Sequence, residues 1–149
     1  MNKKFKELKS GDTIFLVGSP DFILHECLVE NFGVFTIKSV IETLDGKRNP
    51  IVCLSGEYVR ATENENPVVI KKVAYFTALS ECEISDYRAN IRIDEWSEVF
   101  TKTISTNQTF LCYPDVCTGL DFIEEKIKQY LEDIEESRKI NKTVQGEKL

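Results

Sequence analysis

The single histidine of the chain lies two residues from a cysteine, and this pair is the first place where chemistry could occur. Residues two apart on a β-strand share a face, so the imidazole of His25 could activate the thiol of Cys27 as a nucleophile. Such catalysis also needs a group that orients the base and a pocket for a substrate, and the sequence indicates neither. We therefore expect His25 to be a partly buried structural residue. No catalytic residue is assigned, and the protein is not expected to be an enzyme.

The five cysteines are spread singly through apolar surroundings. They are Cys27, Cys53, Cys82, Cys112 and Cys117. Structural zinc usually draws on two close pairs of ligands, and Cys112 with Cys117 would supply one pair at most. Asp115 and Asp121 lack the alternating acids and central glycine of a calcium-binding loop. We expect no metal site and no cofactor, and we interpret the cysteines as reduced core thiols.

Acidic residues occur in pairs and in one cluster that could suggest acid–base catalysis. Glu81 and Glu83 flank Cys82, and further acids lie between Glu132 and Glu136. Glycosidase chemistry needs two carboxyl groups in unequal environments inside a shaped cleft. The sequence shows no sign of such a cleft, so we expect the cluster from Glu132 to Glu136 to be the solvated face of a helix.

Aromatic and arginine side chains give the one positive indication of a site. Tyr87, Arg88, Arg92 and Trp96 fall within ten residues of each other. Tyrosine, tryptophan and arginine are the residue types that most often dominate the energetics of protein interfaces. We predict that these four residues bind a partner. The alternative for Trp96 is a place in the core, where a small domain usually keeps its tryptophan.

The residues from Thr118 to Ile140 have the clearest periodicity in the chain. Apolar residues recur there at spacings of three and four, which places them on one face of a helix. They are Leu120, Ile123, Ile127, Tyr130 and Ile134. Thr118 is a suitable N-cap residue, and an apolar stripe this narrow needs a surface to cover. We predict a helix over 118–140 that covers a β core, followed by a flexible tail over 141–149.

The first strand is predicted from a Gly-Asp turn that precedes an apolar run. The stretch Lys9-Ser10-Gly11-Asp12-Thr13-Ile14-Phe15-Leu16-Val17 resembles the opening strand of small, strongly bent barrels of the KOW and Tudor type. The resemblance covers about ten residues and implies a barrel; barrels of this type bind nucleic acids, bind peptides or serve structural roles. Ahead of it, Phe5 and Leu8 are expected to pin the lysine-rich start of the chain to the core.

A first hairpin is predicted in the middle of the chain. Val34 to Ile41 alternates, with Phe35, Ile37 and Ile41 on the apolar side. Asp45-Gly46 is a pair preferred by tight hairpin turns, and Ile51 to Leu54 is the returning strand. Ser55-Gly56 is expected to break that strand.

The second half of the chain is predicted to add further strands. Val68 to Phe76 has strong β character. Residues 84–96 fit either a helix or a strand, and Ile91 to Ile93 favours the strand. A second hairpin is predicted from Val99 to Ile104 and Thr109 to Tyr113, with its turn at Ser105 to Gln108.

These patterns together predict one α+β domain over 1–149. It is mainly antiparallel β, as a small barrel or a strongly twisted sheet, with a C-terminal amphipathic helix. We divide it into a barrel-like core over 1–76, a β elaboration over 77–114, a covering helix over 115–140 and the tail.

Composition limits the partners. The 149 residues carry a net charge of -6 with a pI near 4.9, which disfavours nucleic acids and anionic membrane surfaces as partners. No apolar run approaches the ~20 residues of a membrane span, and no signal peptide is expected, so we predict a cytoplasmic protein. A chain rich in Lys, Asn, Ile and Glu suggests a bacterial or bacteriophage origin.

Three functions remain to be compared. The leading hypothesis is a non-catalytic binding or structural module that acts through a protein partner or self-association. The alternative is a small acidic inhibitor that presents carboxylates in place of phosphates and blocks a nucleic-acid-binding protein. Direct nucleic-acid binding through Lys47, Arg48, Lys71 and Lys72 is disfavoured by the net charge.

Overall fold

The computed structural model describes residues 3–18, 32–60 and 69–146. The helices and strands, in chain order, are a 3₁₀ helix at Phe5–Glu7, β1 at Thr13–Gly18, β2 at Phe32–Leu44, β3 at Pro50–Arg60, β4 at Val69–Leu79, β5 at Tyr87–Ser97, β6 at Lys102–Tyr113 and α1 at Val116–Gly146. Residues 1–119 make one compact unit, and residues 120–149 make a second.

The strands form a closed antiparallel barrel in which each strand pairs with its neighbours in sequence, and β6 pairs with β1. The α+β prediction, mainly antiparallel β with a C-terminal helix, is therefore confirmed. β1 and β6 pair from Phe15 to Gly18 and from Phe110 to Tyr113, and their backbone hydrogen bonds close the barrel there. The predicted division into a core over 1–76 and an elaboration over 77–114 does not match this topology, since β5 and β6 complete the barrel wall.

Alternating side chains of all six strands fill the barrel interior. The largest fully buried interior side chains are Ile14, Leu16, Phe35, Ile37, Leu54, Ile91, Ile93 and Phe110. Period-two alternation explains this set, because every second residue of a strand points to the same side of the sheet. Phe35 and Ile37 of β2 and Ile91 and Ile93 of β5, which sequence alternation selects as apolar positions, thus lie in the core.

The start of the chain packs into the same core, as predicted. Phe5 is fully buried, and its ring meets the ring of Tyr87 edge-on at a centroid distance of 4.7 Å. The backbone N–H of Phe5 donates to the carbonyl of Cys82 at 3.1 Å. On the surface, Lys6 forms an ion pair with Glu81 at 3.0 Å. The lysine-rich segment is therefore anchored by Phe5, while its charges remain exposed.

The first hairpin is confirmed, but its turn is longer than the Asp-Gly pair indicates. Five residues, 45–49, separate β2 from β3. The carboxylate of Asp45 accepts hydrogen bonds from the backbone N–H groups of Lys47 and Asn49, both at 2.8 Å. Arg48, with a φ of 64°, takes the left-handed conformation. The side chain of Asp45 therefore organises the turn.

Gly56 does not break β3, and the predicted interruption at Ser55-Gly56 is wrong. The strand continues to Arg60 and pairs with β2 along its length. The pairing register shifts between Ile37 and Ser39, directly opposite Gly56. A Cβ at Gly56 would overlap the carbonyl oxygen of Thr36. Glycine is needed here because the two backbones approach closely at a β-bulge.

The predicted second hairpin of Val99 to Ile104 and Thr109 to Tyr113 is wrong, because residues 102–113 form one strand, β6, and the observed hairpin joins β5 to β6. Residues 87–97 form a strand, which confirms the strand interpretation of Ile91 to Ile93. The turn lies at residues 98–101, where Thr101 has a φ of 47°. Ser105 to Gln108 lies inside β6 and pairs with β5. Residues 102–107 are all exposed, which explains why most of them are polar. This composition is typical of a loop, although pairing with β5 holds the residues in the sheet.

The C-terminal helix is longer at both ends than the predicted 118–140. It begins at Val116, and the carboxylate of Asp115 accepts a hydrogen bond from the backbone N–H of Thr118 at 2.7 Å. Asp115 is therefore the N-cap, and the prediction of Thr118 is wrong. The helix continues to Gly146, so most of the predicted tail is helical. Within the described ranges, no helix has both the length and the apolar character needed to cross a membrane. The covering role of the helix stays a prediction.

Candidate binding surface

Strand β5 carries all four residues predicted to bind a partner, but it does not place them on one face. Ala89, Ile91 and Ile93 are buried in the core. Arg88 and Arg92 are exposed, and Trp96 is half-buried. Since side chains alternate along a strand, these last three share the outer side of the wall.

Tyr87 belongs to the other face. Its ring packs on that of Phe5 at the edge of the core, and burial raises the pKa of its phenol. The structure therefore separates Tyr87 from the other three predicted binding residues. It acts as a packing residue for the start of the chain.

Arg92 is exposed and yet held in place by its neighbours. Its guanidinium lies 4.7 Å from the centroid of the Tyr75 ring, and Tyr75 is its cross-strand partner on β4. One guanidinium nitrogen is 3.1 Å from a carboxylate oxygen of Asp94. The other oxygen of Asp94 accepts a hydrogen bond from the hydroxyl of Ser105 at 2.6 Å. This chain of contacts orients Arg92 while 54% of its side chain stays accessible to solvent.

Beside Arg92 the outer wall forms an open groove of about 510 Å³. It crosses β2 to β6 and is lined by Ser39, Ile41, Cys53, Leu54, Ser55, Tyr75, Phe76, Thr77, Asn90, Arg92 and Asn107. Ile41 and Tyr75 supply apolar surface, whereas Asn90, Arg92 and Asn107 supply hydrogen-bonding groups. A groove with an apolar floor and a few placed polar groups is typical of a binding site.

The groove depends on a switch in side-chain direction along β2. Sequence alternation predicts Phe35, Ile37 and Ile41 on one side, and Phe35 and Ile37 are indeed fully buried. Past the register shift, however, Val40 packs on the core and Ile41 is 58% exposed. One extra residue in a strand moves every later side chain to the opposite face. Alternation alone therefore does not predict Ile41 as a surface residue. It also does not predict Tyr75 as a site residue, because the cross-strand register places Tyr75 beside Arg92.

A second charged arrangement lies on β4 and β5. Lys72 and Glu95 are cross-strand partners, and their charged atoms are 3.4 Å apart. The side chain of Lys72 is only 11% exposed, and its ammonium lies 5.5 Å from the ring centroid of the buried Tyr58. Lys72 is therefore engaged within the protein, which weakens the hypothesis that it contacts nucleic-acid phosphates.

The candidates for nucleophilic and metal chemistry fall in different places. His25 and Cys27 lie outside the described residues. Cys112 is fully buried, and burial raises the pKa of its thiol, whereas Cys117 is exposed and is not the core thiol predicted. In the three described stretches, no cluster of three or more His, Cys, Asp or Glu side chains could hold a metal ion.

Comparison with known protein families, curated proteins and solved structures finds no match for this chain. The resemblance of Lys9 to Val17 to KOW and Tudor barrels therefore stays a prediction. On the outer wall of the barrel, Arg92, Tyr75 and Ile41 line the same groove.

Proposed function

We propose that this protein is a non-catalytic binding module that recognises a protein partner through the groove beside Arg92. The observation that supports the proposal most is the combination of exposure and fixed geometry at Arg92. Its contacts with Tyr75 and Asp94 are made before any partner arrives. Binding by a side chain that is already ordered loses less conformational entropy.

The chemistry of the groove suggests what the partner presents. Ile41 and Tyr75 would contact an apolar side chain, and Arg92 retains N–H donors beyond the one directed at Asp94. Asn90 and Asn107 would bond to backbone amides of an extended segment. We therefore propose as partner a protein segment that carries an apolar residue next to a carboxylate. Trp96 and Arg88, on the same outer side of β5, would extend this contact.

The proposed setting is the cytoplasm of a bacterium or of a bacteriophage-infected cell. The acidic composition supports a protein partner over nucleic acid, because a net charge of -6 repels phosphates at long range. Within the described residues, Arg92 and Arg88 are exposed cations that an acidic protein segment can still reach locally.

The proposal is tested by capture of partners from an extract of the source organism. Tagged wild-type protein, Arg92→Ala and Tyr75→Ala would be compared, with Lys38→Ala as a control at an exposed position of β2 that does not line the groove. Proteins that wild-type and Lys38→Ala capture, and that both groove variants lose, would support the proposal. If the groove variants stay folded and capture the same proteins as the wild type, the groove is not the contact surface.

The alternative function, an acidic inhibitor that mimics nucleic acid, draws support from α1. Glu132, Asp133 and Glu136 are all exposed there. Cations are interleaved with these acids, however, and Lys128 pairs with Glu124 at 3.1 Å. A mimic should bind its target less tightly as salt rises, because salt screens exposed charges. An affinity that does not change with salt would eliminate this function.

A further inference from the structure

The apolar residues of α1 follow a seven-residue repeat. Their spacings alternate between four and three from Val116 to Ile134, and the same spacing then continues through the polar residues Ser137 and Asn141. In the notation abcdefg, position a holds Leu120, Ile127, Ile134 and Asn141, and position d holds Val116, Ile123, Tyr130 and Ser137. A mean spacing of 3.5 residues is the repeat of a left-handed coiled coil, in which a and d face a partner helix.

The second half of the helix leaves part of this repeat exposed, while Ile127 and Ile134, at position a, are half-buried. Tyr130, at position d, is 43% exposed. Leu131 and Ile140, at the flanking e and g positions, are 58% and 60% exposed. From Ile127 to Asn141 the stripe spans about 15 residues, or roughly 22 Å of helix.

A concavity on α1 has the form that a coiled-coil partner requires. It is lined by Tyr130, Asp133, Ile134, Ser137, Arg138 and Asn141. In a parallel coiled coil, the side chain at an a position of one helix enters a hole between four residues of the other helix, at positions d, g, a and d. The side chain at the next d position enters a hole between residues at positions a, d, e and a. The six lining residues are the members of two such holes that overlap at Ile134 and Ser137.

The charges and the polar residue in this stripe are complementary to a second copy of the same chain. In a parallel pair, the g residue of one helix lies beside the e residue five positions later on the other. Here g is Asp133 and e is Arg138, which have opposite charge. Asn141 occupies an a position, where a single asparagine specifies register and oligomer state at a cost in stability.

We infer that α1 pairs in parallel with α1 of a second copy, over residues 127–141, to form a two-stranded coiled coil. The inference does not depend on the proposed groove. A dimer would carry two copies of the groove, so a partner with two binding segments would gain from linked binding.

The test is the mass of the full chain in solution over a concentration series from about 1 to 100 μM, by sedimentation equilibrium. Wild-type protein is expected to approach twice 17.1 kDa. Ile134→Lys should weaken association at least ~10-fold, since it puts a charge in the seam. Glu132→Lys, at the outward f position, is the matched control and should leave association unchanged.

Charge reversal tests the parallel register without changing the apolar seam. Asp133→Arg and Arg138→Asp should each weaken association, because each places like charges side by side across the dimer. The double variant should restore it. Circular dichroism of each variant would establish that the helix is retained.

Three results would overturn the inference. They are a wild-type mass of 17.1 kDa at every concentration, a trimer or larger assembly, and charge reversals that weaken association without rescue by the double variant.

Discussion

Gly56 of β3 lies so close to the backbone of Thr36 on β2 that a methyl group at Gly56 would overlap the carbonyl oxygen of Thr36. This contact lies at the β-bulge, where the pairing register shifts between Ile37 and Ser39. The shift turns Ile41 outward and so provides apolar surface for the groove beside Arg92. A single glycine thus links the local geometry of the hairpin to the candidate binding surface.

Gly56→Ala is expected to lower the free energy of unfolding by about 1–3 kcal/mol, because the added methyl group meets backbone and cannot be relieved by a side-chain rotation. Gly46→Ala is the matched control, since nothing lies within 4 Å of a Cβ at that position. It should change stability by less than about 0.5 kcal/mol. Urea unfolding of the two variants measures both values. Equal stabilities would mean that β2 and β3 do not approach as described.

A double-mutant cycle between Tyr75 and Arg92 is expected to give a coupling energy of about 0.5–1 kcal/mol, the usual strength of an exposed cation–π contact. Tyr75→Leu keeps an apolar side chain on β4, and Arg92→Gln keeps a polar one on β5. Unfolding free energies of the wild type, both single variants and the double variant complete the cycle. A coupling energy near zero would show that Tyr75 does not orient Arg92 in solution.

Asp115→Ala is expected to destabilise the start of α1 by about 1 kcal/mol, because the N–H of Thr118 loses its acceptor. Asp115→Asn should largely preserve the cap. The hydrogen bond from Thr118 lowers the pKa of Asp115 below its ordinary value of 3.8, so its stabilisation is present above that value and lost as pH falls through the lowered one. Melting curves of α1, followed by its helical signal at several acidic pH values, test this pH dependence of the stabilisation by Asp115. A melting curve for Asp115→Ala identical to that of the wild type would contradict the assignment.

Tyr113 is expected to make stability fall at alkaline pH. Its phenol donates a hydrogen bond to Asp86 at 2.9 Å, and burial together with this contact raises its pKa above the ordinary value of 10.0. Above that value the unfolded chain loses the proton while the native state keeps it, so stability falls as pH rises. Tyr113→Phe should lower the free energy of unfolding by about 1 kcal/mol at neutral pH. As pH rises further, the free energy of unfolding of this variant should decline less steeply than that of the wild type. The free energies of unfolding of the wild type and of the variant would be measured at about pH 8 and about pH 11. An equal decline in the two proteins would contradict the assigned role of Tyr113.

Sequence patterns predicted the elements that repeat regularly. Alternation identified the first part of β2 and the centre of β5, β propensity identified most of β4, and spacings of three and four identified α1. Each of these signals comes from residues that are close in sequence and recur on one face of a strand or helix, so local sequence is enough to predict the element. The predictions failed where a single side chain or a distant strand decides the outcome. Asp115 replaced Thr118 as the cap, and the polar residues of β6 were mistaken for a turn because the strand that pairs with them is not visible in local composition.

At the candidate site, residue types alone place Arg92 among side chains suited to an interface, and periodicity alone assigns one apolar stripe to α1. That Tyr87 faces the core, that Tyr75 stacks on Arg92 and that Ile41 points outward became known from the folded chain. Cross-strand register sets these three positions. Which residues become neighbours depends on backbone hydrogen bonds between distant segments and on one bulge opposite Gly56, and residue order within either strand does not record that pairing.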